Sequence, residues 1–357
     1  MGSTEAISLD QELPLVTKSD VLAQALLYKI NSRFNTRGEV LFPCLPSLLD
    51  YYKQWFDTLF NALGKPLSPE KQDELHKLLV QKLEDGFRFS PSSMLLLQYE
   101  SMPPPEMGLK CKLAIVNSTL TEQYKGWLET RQPPLFGGLP DAKIMDLLGQ
   151  LGDPAGVRIL DIGAGPGRNT LPLARLGYQV DAIELTSSFT EQLRLAADSE
   201  KLNVNVIHGD VLDPLVRLQT RSYQLAFASE VVSHFRELDQ VKLLLAKISD
   251  LLPIGGLFLF SSFVNVGDYQ PDQMVREAAQ MAWSSVFDRV ELLRVIELLP
   301  LNLISDELVF DYERNHLPSE AWPQTPWFPN WSTGKDIFPL VEGRPPIELR
   351  WFLCQRI

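Results

Sequence analysis

Cysteine and histidine are scarce in this chain. Its 357 residues hold three cysteines and four histidines. Cys44, Cys111 and Cys354 are odd in number and widely spaced, which suits neither a disulfide framework nor a zinc site. They read as small buried residues in a reducing cytosol, so a cytoplasmic location is expected. No His, Cys, Asp or Glu cluster has ligand spacing, and no metal is expected. Long apolar runs are missing too. None approaches the roughly 18 residues of a membrane span, so no membrane partner is expected. The opening MGSTEAISLDQELPL lacks the basic and apolar regions of a secretory signal. Ala6 stands where a myristoylation motif wants Ser or Thr. A basic block is absent as well. The formal charge is −12, which makes nucleic acid and anionic membranes poor partners. No internal repeat or low-complexity tract stands out.

What is present divides into two rhythms. Residues 1–17 have little apolar periodicity and are expected to form a flexible N-terminus. From Lys18 the apolar residues follow steps of three and four: Leu22, Ala25, Leu26, Ile30 and Phe34. LPSLLDYYKQWFDTLFNALG repeats that stripe more strongly and closes at Gly64. Ser68-Pro69-Glu70 reads as an N-cap, a first-position proline and an acid at the positive helix end. The stripe that follows, Leu75 to Leu83, is closed by Gly86. A mainly helical module is therefore expected over 18–140, a source of acceptor or partner specificity. Inside it CKLAIVNS reads as a short strand, SMPPPEMG as a break, and TEQYKGWLETR as a helix.

The second rhythm, over 141–357, alternates strands and helices, the pattern of a doubly wound, mostly parallel α/β sheet. RILDIGAGPGRNT lies near its start. Gly163, Gly165 and Gly167 give G-x-G-x-G, whereas a dinucleotide fingerprint wants a third glycine where Arg168 stands. Asp161 at the strand end repels a pyrophosphate but attracts an ammonium. Ligands of such sheets lie beyond the carboxyl ends of the strands. There Glu184 ends the second strand and suits two ribose hydroxyls. Asp210 ends the third and suits an adenine amino group. Ser229 and Glu230 end the fourth. Each acid alone equally suits a strand-end residue capping the next helix. Three acids at successive strand ends beside three glycines point to a ligand: a cationic amino acid joined to an adenosine.

Residues 156–263 resemble the class I S-adenosylmethionine-dependent methyltransferases. LDIGAGPGRNTLPLA is similar to that family's first motif, AIEL to its ribose acid, GDV to its adenine-binding acid and LLPIGGLFLF to its late turn into the fifth strand. Ile254 departs from a first glycine often found in that turn. The resemblance implies a Rossmann-like sheet of order 3-2-1-4-5-7-6 with an antiparallel seventh strand. It also implies S-adenosylmethionine as cofactor and S-adenosylhomocysteine as product. The cofactor contacts it implies are Asp161, Gly163, Ala164, Gly165, Gly167, Asn169, Glu184, Leu185, Asp210, Val211, Ser229 and Glu230.

The reaction such a cofactor serves needs alignment above all. A general base is needed only where the acceptor holds a proton that must leave. His234 in FASEVVSHF is the base candidate, with Glu230 beside it. The plainer reading of His234 is a residue that caps or packs the next helix, and that of Glu230 is an anchor for the cofactor's amino-acid part. His208 reads as structural, and His76 lies on a polar helix face. Ala228-Ser229-Glu230-Val231 lacks an N-P-P-Y-like motif, which argues against adenine and glutamine amides as acceptors. The connection 313–346, rich in Trp and Pro, is too long for a turn. It reads as a lid over the catalytic edge or as an anchored loop. Tyr312, Arg314, His316 and Trp327 are its acceptor candidates, and Tyr124 and Trp127 those of the preceding helix. The leading expectation is methyl transfer to O, N or C of a small organic molecule. A protein side chain docked on the helical module, or a non-catalytic scaffold or sensor that keeps the cofactor, are the alternatives. Arg168 argues against an NAD-dependent oxidoreductase. Oligomeric state is left open.

Overall fold

The computed structural model describes residues 14–31, 33–102 and 108–357. Most of the expected flexible N-terminus, and the prolines of SMPPPEMG, lie outside these residues. The chain divides into two units, one ending at Val116 and the other running from Asn117 to Ile357 with residues 89–92.

The first unit opens with α1 (Ser19–Asn31). Next come β1 (Arg37–Pro43), α2 (Leu49–Ala62), α3 (Pro69–Phe89), β2 (Met94–Ser101) and β3 (Leu109–Val116). The three strands form an antiparallel sheet of order β1-β2-β3. Apolar residues face one another across it: Val40 opposes Leu97, which opposes Leu113. The helices bury Tyr52, Phe56 and Phe60, and Leu75, Leu79 and Leu83, against that sheet. Two expectations change here. RGEVLFP and MLLLQYES are strands, so the unit is a helix-and-sheet layer. Gly86 does not end its helix: a Cβ there would stand 2.5 Å from Cys44 Sγ, so glycine serves close packing, and α3 continues to Phe89.

The second unit begins with α4 (Leu120–Thr130), whose Thr119 and Glu122 form a capping box. It continues with α5 (Ala142–Leu147), β4 (Arg158–Ile162), α6 (Thr170–Arg175), β5 (Gln179–Glu184), α7 (Ser187–Ser199), β6 (Val204–His208), β7 (Leu225–Ala228), α8 (Leu238–Leu251) and β8 (Leu257–Asn265). Then follow α9 (Gln273–Met281), β9 (Val286–Phe287), α10 (Arg289–Glu297), β10 (Leu301–Leu308), α11 (Val309–His316), α12 (Phe328–Ser332) and β11 (Ile347–Arg356). The sheet order is β10-β11-β8-β7-β4-β5-β6, with β9 beside β8. Its middle pairs are parallel, and β11 is antiparallel to both neighbours. Counted from β4 as the first core strand, this is 3-2-1-4-5-7-6. Separate apolar clusters cover the two faces. Strands buried on both faces read as near-continuous apolar runs; all nine residues of β8 are buried, and Ser261, Ser262 and Asn265 are its polar members.

The sequence reading differs from the structure at three places in this unit. Helix 120–130 belongs to it and not to the N-terminal module, so the boundary lies after 116 and not at 140. By its apolar pattern the sequence over about 271–299 reads as one helix; the structure has two. Trp283 at φ +55° breaks it, β9 pairs with β8, and Asp288 starts α10 by accepting from Glu291 N at 2.9 Å. Finally, NLISDELVFDY reads from sequence as one late strand, but VFDY does not extend β10. It turns helical, which puts Val309 and Glu313 on the buried side of α11.

Candidate functional site

Three strand ends meet at one place. Beyond β4 the chain turns through Gly163 at φ +72°, Gly165 at +54° and Gly167 at +103°, values that L side chains rarely adopt. A Cβ on Gly163 would stand 2.4 Å from Val231 Cγ2, so the loop lies against the end of β7. Gly163 N and Ala164 N donate to Ile183 O at 2.8 and 3.1 Å. Glu184, at the end of β5, accepts from Gly165 N at 2.9 Å and from Thr186 N at 2.7 Å. Its carboxylate therefore fixes the glycine turn while each oxygen keeps a lone pair. Past β6, Asp210 is exposed and accepts from Leu212 N at 2.8 Å.

Behind this loop is a buried polar cluster. Arg168 pairs with Asp141 and with Glu230, the latter at 2.9 Å. Asp141 also accepts from Asn169 Nδ2 at 3.0 Å and Ser229 Oγ at 2.7 Å. Glu230 sits at φ +60°, a strained turn for a residue with a Cβ. It is held by its N–H to Ser261 Oγ and by Ser233 Oγ to its carbonyl. Burial pushes the Glu230 carboxyl up, against the pull of Arg168. Asp161 lies deeper and accepts from Thr170 Oγ1 at 2.5 Å. Burial pushes its carboxyl up to about 7, with Thr170 and Arg168 opposing.

Across from the loop is an aromatic wall. Tyr124 on α4 lies within 6.0 Å, centroid to centroid, of Trp127, Phe136, Phe189, Trp283 and His234. Its hydroxyl faces His234 Nε2 at 3.0 Å. Burial, with Glu230 and Glu184 nearby, raises the Tyr124 phenol, which keeps its proton. Burial pushes His234 down to about 4, so its imidazole is neutral at neutral pH. From the Trp-rich connection, Trp331 donates its indole N–H to Trp283 O at 3.3 Å.

Loop and wall enclose a cavity of about 420 Å³, within the usual range for small-molecule sites. Four carboxylates line it, on Glu184, Asp210, Glu230 and Asp336, against the guanidiniums of Arg131 and Arg168. Arg168 is already paired twice, so the loop side carries surplus negative charge. That suits a sulfonium or ammonium.

Most expected residues meet here. Gly163, Ala164, Gly165, Asn169, Glu184, Leu185, Asp210, Val211, Ser229 and Glu230 line the cavity, as do Tyr124, Trp127, His234 and Trp327. Asp161 and Gly167 do not. Asp161 supports the loop from beneath, and a Cβ on Gly167 would press on Leu193 and Leu171. Tyr312, Arg314 and His316 are also outside the lining, because α11 turns them elsewhere. The Tyr312 hydroxyl donates to Asp146 at 2.6 Å and its ring stacks on His316. Arg314 lies over Phe310. Phe136, Phe189 and Trp283 line the cavity unforeseen. No motif in the sequence marks them.

Residues 159–256 match the family described as methyltransferase domain. This segment is a methyltransferase domain. The match runs from β4 to the turn before β8. It includes the glycine loop, Glu184, Asp210 and His234, and leaves out Tyr124, Trp127 and Trp283. The chain is 35% identical over 107 residues to a ubiquinone biosynthesis O-methyltransferase of Xanthomonas axonopodis pv. citri, covering 30% of this chain and 44% of the relative. It is 32% identical over 108 residues to the protein of that name from Nitrobacter winogradskyi, covering 39% of it. The chain thus spans less than half the length of these relatives. Among solved structures it is similar to a geranyl diphosphate methyltransferase in complex with SAM. That likeness has 16% identity and TM-score 0.48, over 60% of this chain and 85% of the other. A geranyl diphosphate C-methyltransferase from Streptomyces coelicolor A3(2) is similar at TM-score 0.47 and 15% identity, over 60% of this chain and 76% of the other.

Proposed function

We propose that this chain is a methyltransferase that moves the methyl group of S-adenosylmethionine to a small organic acceptor. The observation that carries this reading is the meeting of two unlike surfaces in one cavity. The glycine loop with Glu184 and Asp210 forms one side, and an aromatic wall holding His234 forms the other. The loop side fits the cofactor on charge and on space. Its carboxylates outnumber its free cations, and a Cβ on Gly165 would project toward the cavity-lining Phe136 ring at 3.9 Å, so the bare glycine keeps that space open.

Glu184 would hold the ribose hydroxyls, Asp210 the adenine, and Ser229, Asn169 and Glu230 the amino-acid end. S-adenosylmethionine supplies a methyl group already activated on sulfur. The chain contributes alignment of the acceptor and exclusion of water by the aromatic wall. Where the acceptor atom bears a proton that leaves, the neutral His234 imidazole receives it on Nδ1, in the tautomer whose Nε2–H donates to the Tyr124 hydroxyl and so holds the ring in place. The small-molecule acceptor is supported by the aromatic lining and by the names of the relatives.

The test is calorimetry with S-adenosylhomocysteine and with NAD. It is followed by incubation with methyl-labelled S-adenosylmethionine and a size-fractionated extract of the source cell. S-adenosylhomocysteine should bind, NAD should not, and label should enter the small-molecule fraction. Label on a protein band, or cofactor binding without transfer to any fraction, would overturn the acceptor assignment.

A further inference from the structure

Arg131 follows the last residue of α4, and its N–H donates to Trp127 O at 2.8 Å. The C-terminal end of a helix favours a cation. The guanidinium carbon sits 3.6 Å from the Trp127 ring centroid, a cation–π contact that ties the side chain to the aromatic wall. Arg131 lines the cavity, as Trp127 and Phe136 do. Among the described residues no carboxylate stands within 4.0 Å of it. Arg168, on the other side, has two. The chain has an acid surplus of twelve, yet this guanidinium, on an exposed residue that also lines the cavity, has no carboxylate partner among the described residues. A guanidinium fork matches an oxyanion in two-point contact.

We infer that Arg131 anchors an oxyanion on the acceptor, so that the acceptor is a small organic anion whose charged group lies at the aromatic wall. This rests on the methyl-transfer reading above. The cavity is then polarised: Glu184, Asp210 and Glu230 meet the cationic ligand and Arg131 meets the anionic one. The anion is a handle and not the atom methylated, so it survives in the product.

The test uses the full chain, methyl-labelled S-adenosylmethionine and the small-molecule fraction of the source cell, with products passed over an anion exchanger. Label should be retained on the resin. With the acceptor recovered from that fraction, Arg131→Gln should raise KM about tenfold or more, the loss expected for one charge-assisted contact. It should leave kcat and S-adenosylhomocysteine affinity within about threefold. Arg131→Lys, which keeps the charge without the fork, should fall between. A neutral or cationic product would overturn the inference, and so would an unchanged KM in Arg131→Gln. Weakened S-adenosylhomocysteine binding with KM unchanged would overturn it too, by giving the guanidinium to the cofactor's own carboxylate. A wild-type chain that binds no S-adenosylhomocysteine defeats the methyl-transfer reading itself, a result these outcomes keep distinct.

Discussion

The two sides of the cavity are made differently. The loop side is mostly backbone and short acids at successive strand ends: Gly163, Gly165, Glu184 and Asp210. The wall is side chains brought from distant segments: Tyr124 and Trp127 from α4, Phe189 from α7, His234 after β7, Trp283 after α9, Trp327 and Trp331 from the last connection. A strand end with a glycine turn has one local solution, which many chains can share. A wall assembled from five segments can be rebuilt residue by residue. The first side suits a fixed ligand and the second a variable one.

Substitutions can separate the two sides. The largest effect is expected on the wall. His234→Ala should lower turnover about a hundredfold or more, the usual worth of a general base, while S-adenosylhomocysteine affinity stays within about twofold. Because burial holds this imidazole near 4, it stays unprotonated down to about pH 5. Turnover limited by it should then be level from pH 8 to 5 and fall only below. Normal turnover in the variant would remove the histidine from the chemistry. On the loop side, Glu184→Ala should weaken S-adenosylhomocysteine binding more than tenfold, since it removes charge-assisted contacts of about 1.5–3 kcal/mol. It also frees Gly165 N and Thr186 N, so a melting curve must show the fold intact. Unchanged affinity would break the assignment of this side.

The contrast also explains what could be read before the structure. The glycine loop, Glu184, Asp210 and the strand order follow from contiguous patterns, because each turn chemistry is written where it acts. His234 and Trp127 were legible as neighbours of such patterns. Phe136, Phe189 and Trp283 were not, since an aromatic in a helix or loop reads the same whether it packs a core or lines a cavity. In the first unit β1 and β2 were missed because MLLLQYES carries too few polar residues for its alternation to show. Tyr312, Arg314 and His316 were misplaced because VFDY has strand-like composition. As a helix it buries Val309 and lets Glu313 accept from Ala142 N and Lys143 N, long-range contacts that no local pattern announces.

A subtler difference concerns protons under the loop. The buried Asp161 carboxyl is pushed up to about 7, from about 3.9 in an unfolded chain. Between these values the folded state binds more protons than the unfolded one. Stability therefore falls as pH rises from about 4 to 7, by up to about 1.4 kcal/mol per pH unit. Asp161→Asn cannot ionise and can still meet the Thr170 hydroxyl. Its urea midpoint should match the wild type near pH 4 and exceed it increasingly up to pH 8. A gap that does not change with pH would show that Asp161 is ionised throughout, with Thr170 and Arg168 outweighing its burial.

The smallest effects should come from α11, and they test where the wall ends. Tyr312→Phe removes one hydrogen bond to Asp146, and His316→Ala removes a stacked ring; neither side chain lines the cavity. Each should shift stability by no more than about 1 kcal/mol and leave acceptor KM and turnover within about twofold. Trp327→Ala, on the same connection but in the lining, is the control and should raise acceptor KM by more than either. If His316→Ala or Tyr312→Phe moved KM as far as Trp327→Ala, α11 would have to approach the ligand when it binds. The wall would then extend over the whole connection, and the expectation that 313–346 closes over the acceptor would return.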